Sequence, residues 1–205
     1  MRKVVVANLV SLDGYVEGPG KDIMAMPFDG FFDAYNVERQ RAAGAILVGA
    51  TTYRGLVGWW PAVAEDPAVS PAVASDPGLA ALHREIAVRN RDLPKYVVSD
   101  SMTADDTAPW TDTTRIVRRA EAHDTVARLR EQDGKDIVVF GSPTVWNDLL
   151  AVGLVDELHM MVGAGVVGDG TPAFGTVPIP PLRLIETIRR EGSESVVLRY
   201  EVVHG

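Results

Sequence analysis

The segment Gly141-Ser142-Pro143-Thr144 carries residue types that can hold an anion at the start of a helix. Ser142 suits the N-cap of a helix, and Pro143 suits its first position. A helix N-terminus presents free backbone N–H groups, and a glycine beside it allows a phosphate to come close to them. The segment therefore indicates either a phosphate-binding turn or, with fewer assumptions, a well-capped helix without a ligand.

Two other predicted strands end in comparable turns. Val48-Gly49-Ala50-Thr51-Thr52-Tyr53 follows one of them, and Ser99-Asp100-Ser101 follows the other. Each turn is ordinary when taken alone. Ligands of open α/β sheets lie across the carboxyl ends of the strands, so three polar turns of this kind in one sheet indicate a common binding site.

A glycine-rich segment, Gly163-Ala164-Gly165-Val166-Val167-Gly168, matches the G-x-G-x-x-G pattern of dinucleotide-binding folds. In those folds the pattern opens into a helix, whereas here it is followed by Asp169-Gly170-Thr171-Pro172, which is typical of a turn. The Rossmann interpretation is therefore rejected. Because a glycine lets a ligand approach the backbone, Gly165 and Gly168 remain candidates for contact with a cofactor.

Metal chemistry has little support in this sequence. His83-Arg84-Glu85 matches the H-x-E of zinc nucleobase deaminases, but their zinc also needs cysteine thiolates and the chain has no cysteine. The histidines also lack the H-E-x-x-H spacing of a zinc-binding helix. We therefore predict no metal site, and surface or helix-cap positions for His83, His123, His159 and His204.

Composition narrows the class of protein further. The chain has 205 residues, of which 46% are hydrophobic and 23% charged, which suits a folded domain with a sizeable core. With 20 Lys and Arg against 28 Asp and Glu, the net charge of −8 disfavours nucleic-acid binding. Without cysteine, redox chemistry would need a cofactor. No apolar run is long enough to span a membrane, and Asp13 precedes any signal-peptide cleavage site, so we expect a cytoplasmic protein.

Strand patterns alternate with helical patterns along the chain, which predicts an α/β fold. Strands are predicted at 4–10, 45–49, 96–99, 115–117, 137–140 and 157–162, with helices near 31–43, 79–89, 125–132 and 144–152. Gly44 is expected to cap the first helix. Residues 182–188 and 195–203 form a predicted hairpin, so the sheet should be mixed. Residues 61–78 carry four prolines and are predicted to form a loop or lid within a single domain spanning 1–205.

In order and spacing, these segments resemble the dihydrofolate reductase-like superfamily, and within it the reductase half of bacterial bifunctional riboflavin-biosynthesis deaminase-reductases. The motifs that carry the resemblance extend over nearly the whole chain: Ser11-Leu12-Asp13-Gly14, Gly49-Ala50-Thr51-Thr52-Tyr53, Lys95-Tyr96-Val97-Val98-Ser99, Ile137-Val138-Val139-Phe140-Gly141-Ser142, Leu154-Val155-Asp156-Glu157-Leu158 and Gly165-Val166-Val167-Gly168-Asp169-Gly170. The resemblance implies a three-layer α/β/α fold with a mixed, mostly parallel sheet. It also implies NADPH as the cofactor, a small heterocyclic substrate and a homodimer.

The resemblance assigns cofactor-binding roles to residues at the three turns. The ribose and phosphates would be approached by Gly49, Thr51 and Thr52. The adenosine end would lie near Ser99, and the pyrophosphate would be held by Gly141, Ser142 and Thr144. By this resemblance, phosphate binding is favoured over a plain capped helix at the first turn.

The resemblance also implies an acid in the first helix. Asp33 stands 16 residues before Gly49, at the distance where the family places an acid. Such a carboxyl group would protonate or orient the substrate ring. Asp13 and Asp29 are competing candidates, and an aspartate on a helix surface is the plain alternative.

Three positions depart from the family's pattern. Members that use NADPH commonly carry arginine where this chain has Ala50, a basic residue is frequent at Asp100, and Ser142 replaces the second glycine of a usual pair. A carboxylate at position 100 would repel a 2′-phosphate but could accept a hydrogen bond from a ribose 2′-hydroxyl, so NADH is the alternative cofactor. The arginines that could compensate a 2′-phosphate instead are Arg54, Arg115, Arg118 and Arg119.

Two functions of different class follow from these observations. The first is an NAD(P)H-dependent reductase that transfers a hydride to a C=N or C=O bond of a pteridine- or pyrimidine-like substrate. The second is a non-catalytic ligand-binding or regulatory protein that retains the fold. An open cleft over Gly49, Ser99 and Gly141 with a carboxylate at its far wall would favour the enzyme.

Overall fold

The computed structural model of the chain describes residues 1–176 and 178–204. Its strands are β1 (Val4–Val10), β2 (Tyr15–Glu17), β3 (Ala43–Gly49), β4 (Lys95–Val98), β5 (Thr114–Val117), β6 (Asp136–Phe140), β7 (Glu157–Val162), β8 (Thr171–Pro172), β9 (Leu182–Arg189) and β10 (Val196–Val202). Its α-helices are α1 (Gly30–Ala42), α2 (Ala50–Glu65), α3 (Pro71–Ser75), α4 (Ala80–Asp92), α5 (Ala122–Glu131) and α6 (Pro143–Ala151).

The main sheet has the strand order β5-β4-β3-β6-β1-β7-β10-β9. From β5 to β7 neighbouring strands are parallel, whereas β10 is antiparallel to both β7 and β9. Every residue of β1 is buried, because β6 and β7 pair with its two edges and helices cover both faces of the sheet. The predicted α/β class, the mixed sheet and the C-terminal hairpin are confirmed.

Two layers of helices enclose this sheet because side chains along a strand point alternately to its two faces. Val6 of β1 packs in a core with Trp146 of α6 and with residues of α5. Its neighbour Ala7 packs on the other face with Tyr53 of α2, and Phe31 of α1 belongs to a third cluster beside it. The three-layer arrangement places helix N-termini next to the carboxyl ends of the parallel strands.

The segment 61–78 is helical rather than a loop or lid, so that prediction was wrong. Helix α2 continues through Pro61 to Glu65, and the chain then forms turns at Pro67–Val69, α3 and Pro77–Leu79. The later prolines start these helical pieces, where their missing N–H group costs no hydrogen bond. Side chains of Asp66 and Asp76 accept hydrogen bonds from the following amides and stabilise two of the turns.

The end of α1 also differs from the prediction. The helix stops at Ala42, and β3 begins immediately at Ala43, so Gly44 lies in the strand and is not a helix cap. A Cβ atom on Gly44 would lie 3.3 Å from the carbonyl oxygen of Lys135. Gly44 is therefore explained by the close approach of the backbone at Lys135, and not by a turn.

Candidate active site

The three turns singled out in the sequence follow adjacent strands. Strands β4, β3 and β6 are consecutive in the sheet and parallel, so their carboxyl ends lie side by side. The turn after β3 begins with Gly49, the turn after β4 with Ser99, and the turn after β6 with Gly141. The topology therefore brings together the three segments expected to form one site.

A hydroxyl group joins two of these turns. The backbone N–H of Gly49 donates to Oγ of Ser142 over 2.7 Å, and that hydroxyl donates to Oγ1 of Thr52 over 2.9 Å. Ser142 occupies the N-cap position of α6 as predicted, but its side chain does not cap the helix. Its Oγ is committed to the start of α2 instead, so the junction fixes the N-termini of α2 and α6 relative to each other.

The backbone at this junction has an uncommon conformation. Gly141 and Ser142 have φ values of 52° and 53°, both in the left-handed region. A Cβ atom on Gly141 would lie 2.8 Å from Oγ1 of Thr52, so only glycine fits there without displacing α2. For Ser142 the left-handed conformation costs about 1–2 kcal/mol, and its hydrogen bonds offset that cost. The side-chain amide of Asn8 also donates to the Gly141 carbonyl over 3.2 Å.

The two helices at the junction begin without a side-chain cap from the described residues but differ in their amides. In α6, Pro143 has no N–H and the amides of Val145 and Trp146 donate to the Ser142 carbonyl at 2.9 and 3.2 Å, which leaves the amide of Thr144 for a ligand. Among the described residues, no side chain caps α2, which begins at Ala50, or α6, which begins at Pro143. The partial positive charge of a helix N-terminus favours an anion there. Thr51 is exposed at the first turn of α2, and Thr144 follows Pro143 in α6, so a hydroxyl is available at the start of each helix.

A cavity of about 440 Å³ adjoins the N-terminus of α6. It lies between the end of β4, the start of α5 and the first turns of α6 and is lined by Val98, Arg119, Ala120, Ala122, His123, Thr144, Val145, Asp148 and Leu149. Its size falls in the range of small-molecule pockets. On one wall, Nε2 of His123 lies 2.7 Å from Oδ2 of Asp148, and both side chains are exposed. The sequence had not singled out either residue as part of a site.

Ser99 shapes the turn after β4. Its side chain is buried, and Oγ accepts hydrogen bonds from the amides of Ser101 and Met102 at 3.2 and 3.1 Å. The carbonyl of Ser99 accepts a hydrogen bond from the Arg118 guanidinium at 3.1 Å. These bonds give the serine a structural role, and its predicted contact with a cofactor stays a prediction.

Asp33 lies in the first turn of α1 and faces α4. Its Oδ2 lies 3.2 Å from Nε2 of His83. The centre of the imidazole ring also lies 6.1 Å from the centre of the Trp60 ring in α2. His83 is buried, and within the described part of the chain neither of its ring nitrogens forms an aligned hydrogen bond. The expected surface or cap position was therefore wrong for His83, as it was for the buried His159.

The sequence did contain a signal for the burial of His83. Helix α4 buries His83, Ile86, Ala87 and Asn90, which follow the i, i+3, i+4, i+7 spacing of one helix face. Reading His83 as part of that stripe would have placed it inside. The pattern within α4 could not reveal Asp33 as the partner of His83, because Asp33 belongs to α1.

The two competing aspartates are both engaged in structure. Oδ1 of Asp29 accepts from the amides of Phe31 and Phe32 and caps α1, while Oδ2 accepts from the hydroxyls of Ser193 and Ser195 in the β9–β10 turn. This carboxylate therefore ties the first helix to the hairpin. It has no oxygen left without a hydrogen bond.

Asp13 instead organises the glycine-rich segment. It accepts hydrogen bonds from the Ser11 hydroxyl and from the amides of Val167 and Gly168, and these bonds lower its pKa to about 2. The carboxyl group is thus ionised at neutral pH and is a poor proton donor. Gly168 contacts this turn, and Gly165 lies so close to Pro27 that a Cβ atom would be 2.9 Å away. Their contacts are therefore with the chain around β1 and Pro27, and cofactor contact stays a prediction.

Comparison with known proteins agrees with this architecture. The model of the family described as the RibD C-terminal domain matches residues 2–198. The Bacillus subtilis (strain 168) protein YyaP, uncharacterized by name, is 25% identical over 176 residues, covering 84% of this chain and 80% of YyaP.

Solved structures with the same fold include three bacterial proteins. A Shewanella sp. PV-4 protein named for riboflavin biosynthesis aligns over 100% of both chains with a TM-score of 0.68 and 16% identity. A pyrimidine reductase-like protein from Corynebacterium diphtheriae aligns over 100% of this chain and 93% of its own, with a TM-score of 0.61 and 16% identity.

The third is a diaminohydroxyphosphoribosylaminopyrimidine deaminase/5-amino-6-(5-phosphoribosylamino)uracil reductase from Thermotoga maritima. It aligns over 98% of this chain and 57% of its own length, with a TM-score of 0.65 and 13% identity. These likenesses show a shared reductase-like fold of the dihydrofolate reductase type. The family model spans nearly the whole chain. The chain belongs to the RibD C-terminal domain family.

Proposed function

We propose that the protein is an NAD(P)H-dependent reductase acting on a small pteridine- or pyrimidine-like heterocycle. The observation that carries this proposal is the junction at which Ser142 joins Gly49 to Thr52 and holds the uncapped starts of α2 and α6 together, with a cavity of about 440 Å³ adjoining the start of α6. Family membership supports an oxidoreductase, and the Corynebacterium diphtheriae and Thermotoga maritima proteins carry reductase names.

The residues at the junction fit a dinucleotide cofactor. The amide and hydroxyl of Thr144 at the start of α6, with Gly141 and Ser142, would take the pyrophosphate, because a helix N-terminus and a glycine backbone suit a phosphate. Gly49, Thr51 and Thr52 would line the neighbouring ribose and phosphate, and the cavity between α5 and α6 would receive the adenosine half. A bound reduced nicotinamide supplies the hydride. The chain's own task is to hold and orient both reactants.

Asp33 is the carboxyl group that we assign to the substrate. Asp13 and Asp29 are tied into structural hydrogen bonds. Among the residues that the structure describes, the side chain of Asp33 has only the off-angle polar contact with His83, and it is 20% exposed. Its place in the first turn of α1 puts it at the end of the sheet where the junction lies. A carboxyl group there can accept hydrogen bonds from ring N–H groups or give a proton to the ring nitrogen.

Turnover tests this assignment. With a panel of oxidised pteridines and pyrimidines, the near-ultraviolet absorbance of the reduced cofactor should fall with time in the presence of the wild-type protein. Asp33→Asn should slow that reaction on the order of 100-fold and leave the dissociation constant of the cofactor unchanged, because the carboxyl group acts on the substrate. Asp124→Asn removes an exposed aspartate from the first turn of α5 and should change neither quantity.

The second candidate is a non-catalytic ligand-binding protein. The observation that favours it is the number of polar groups near the strand ends that are already engaged, among them Ser99, Asp13 and Asp29. A wild-type protein that binds the reduced cofactor but oxidises it with no member of the panel would support this candidate and contradict the reductase.

We also propose a cytoplasmic homodimer. Among the helices in the described part of the chain, none combines the length and apolar character needed to cross a membrane. Strand β9 forms an edge of the main sheet and exposes Leu184 and Ile185, at 52% and 43%. An exposed apolar edge strand is a surface that a second copy can cover. Light scattering should give the dimer mass for the wild type and the monomer mass for Leu184→Lys/Ile185→Lys; a monomeric wild type would contradict it.

A further inference from the structure

The charge around the predicted adenosine end bears on which nicotinamide cofactor fits. NADPH differs from NADH by a 2′-phosphate, which is held by basic side chains that are free to reach it. Arg119 is the arginine that lines the cavity, and it is paired. Its backbone N–H donates to Oδ1 of Asp100 over 3.0 Å, and its Nε lies 3.5 Å from Oδ2 of the same carboxylate.

The other three candidate arginines contact groups of the protein, although among the described residues Arg54 alone of the three has a carboxylate nearby. Arg118 donates from Nη1 to the carbonyls of Ser99 and Met102 at 3.1 and 3.3 Å. Nη2 of Arg54 lies 3.9 Å from Asp106, and the guanidinium of Arg115 lies 6.0 Å from the centre of the Tyr96 ring. Arg118 is the most firmly committed of the three, because its hydrogen bonds hold the turn after β4.

A second basic side chain of the cavity lining also stands beside a carboxylate. His123 and Asp148 are within hydrogen-bond distance at 2.7 Å, so the second basic side chain of the lining also faces a carboxylate. Around this cavity, carboxylates therefore stand beside both basic groups. A phosphate dianion would have to break one of these pairs or lie close to Asp100, where like charges repel.

We infer that the site prefers NADH to NADPH and that Asp100 is the residue that determines this preference. Asp100 follows β4 at the turn expected to meet the adenosine ribose, and a carboxylate at such a turn accepts hydrogen bonds from the ribose hydroxyls of NADH. The inference rests on the proposed function, and it reverses the NADPH expected from the family resemblance. Ala50 agrees with it, since the family's arginine is missing at that position.

The test compares dissociation constants for NADH and NADPH at one ionic strength, followed by quenching of tryptophan fluorescence. The wild type should bind NADH at least about tenfold more tightly than NADPH. Asp100→Ser removes the carboxylate, keeps a small hydrogen-bonding side chain and frees Arg119, so it should bring the two constants together or invert their order. Asp105→Ser removes the same charge from an exposed turn nearby and should leave the wild-type ratio unchanged.

Each outcome bears on a different claim. If the wild type binds neither cofactor below millimolar concentration, the proposed function fails. If it binds NADPH as tightly as NADH or more tightly, the inferred preference is overturned while the reductase proposal stands. If NADH is preferred but Asp100→Ser keeps the wild-type ratio, or Asp105→Ser changes it equally, Asp100 does not determine the preference.

Discussion

A single hydroxyl, that of Ser142, holds the candidate site together. It accepts from the amide at the end of β3 and donates to a threonine of α2, while its own backbone stays in the left-handed region. The conformation would suit glycine better, so the serine is explained by the bonds it makes. The backbone geometry and the hydroxyl therefore contribute separately to stability, and substitutions can separate them.

Two variants at this position should differ in a defined order. Ser142→Ala loses the hydroxyl and keeps the left-handed strain, so we expect a loss of about 1–3 kcal/mol in the free energy of unfolding. Ser142→Gly loses the same bonds but relieves the strain, so it should be about 1 kcal/mol more stable than the alanine variant. Urea unfolding measures both. Equal stabilities would show that the left-handed conformation costs nothing here.

At the scale of elements, a buried ionic cluster joins α1 to the sheet. Glu157 of β7 lies 2.8 Å from Nε2 of His159 and 3.0 Å from Nη2 of Arg199 in β10, and Lys3 reaches its other oxygen at 2.6 Å. The second ring nitrogen of His159 meets the hydroxyl of Tyr35 in α1 at 2.8 Å. These partners, His159 first, hold the pKa of Glu157 well below its usual range, whereas burial lowers the pKa of His159.

This cluster should make the free energy of unfolding decrease as the pH falls into the acid range. Because the pKa of Glu157 is lower in the folded protein than the ordinary 4.5 it regains on unfolding, its contribution is complete above that value and is lost as the pH falls below it. Glu157→Gln should therefore reduce stability at pH 7 and flatten its decline in acid. Glu191→Gln, in the exposed β9–β10 turn, is the control. Urea midpoints from neutral to acid pH that run parallel in wild type and Glu157→Gln would contradict this assignment.

Individual elements show how far the sequence could predict the fold. Runs of β-branched residues marked the buried parallel strands, and the limits of β7 were predicted to the residue. The four prolines of segment 61–78 predict a loop if each proline interrupts a helix, but three of them stand at the starts of helical segments. Asp66, Ser70 and Asp76 directly precede those three prolines and occupy the N-cap positions, so a helix start is distinguished from a break by residue order, which composition does not record.

The candidate site was predictable to a similar degree. The three turns could be found from sequence because each follows a strand, and a parallel sheet places them at one edge. The strand order β4-β3-β6, which the sequence did not predict, makes them neighbours. The Ser142 bridge, the pairing of Asp33 with His83 and the engagement of Asp100 by Arg119 were not predictable. Each joins residues of different elements, so it depends on tertiary packing that no local pattern records.

At the scale of the whole molecule, the net charge of −8 has a local counterpart at the cavity. A carboxylate lies beside each of the two basic side chains of the cavity lining, so acidic groups are also present where a cofactor would bind. The sheet order accounts for the position of that place, since β4, β3 and β6 end side by side. The fold thus positions the site, and a few charged side chains determine what enters it.

We propose that a reduced nicotinamide cofactor binds at the junction of Gly141, Ser142 and Thr52. The measurement that tests it most directly is the dissociation constant of NADH and of NADPH for the wild type and for Gly141→Ala. The added Cβ would meet Oγ1 of Thr52 at 2.8 Å in a left-handed backbone, which should displace the two helix N-termini. Gly55→Ala is the control, because a Cβ there meets nothing within 4 Å.

We predict that the wild type and Gly55→Ala bind at least one cofactor well below millimolar concentration. Gly141→Ala should bind at least about tenfold more weakly, with a near-ultraviolet circular dichroism spectrum that shows the fold retained. Absence of binding to the wild type, or equal affinity in a folded Gly141→Ala, would contradict the claim.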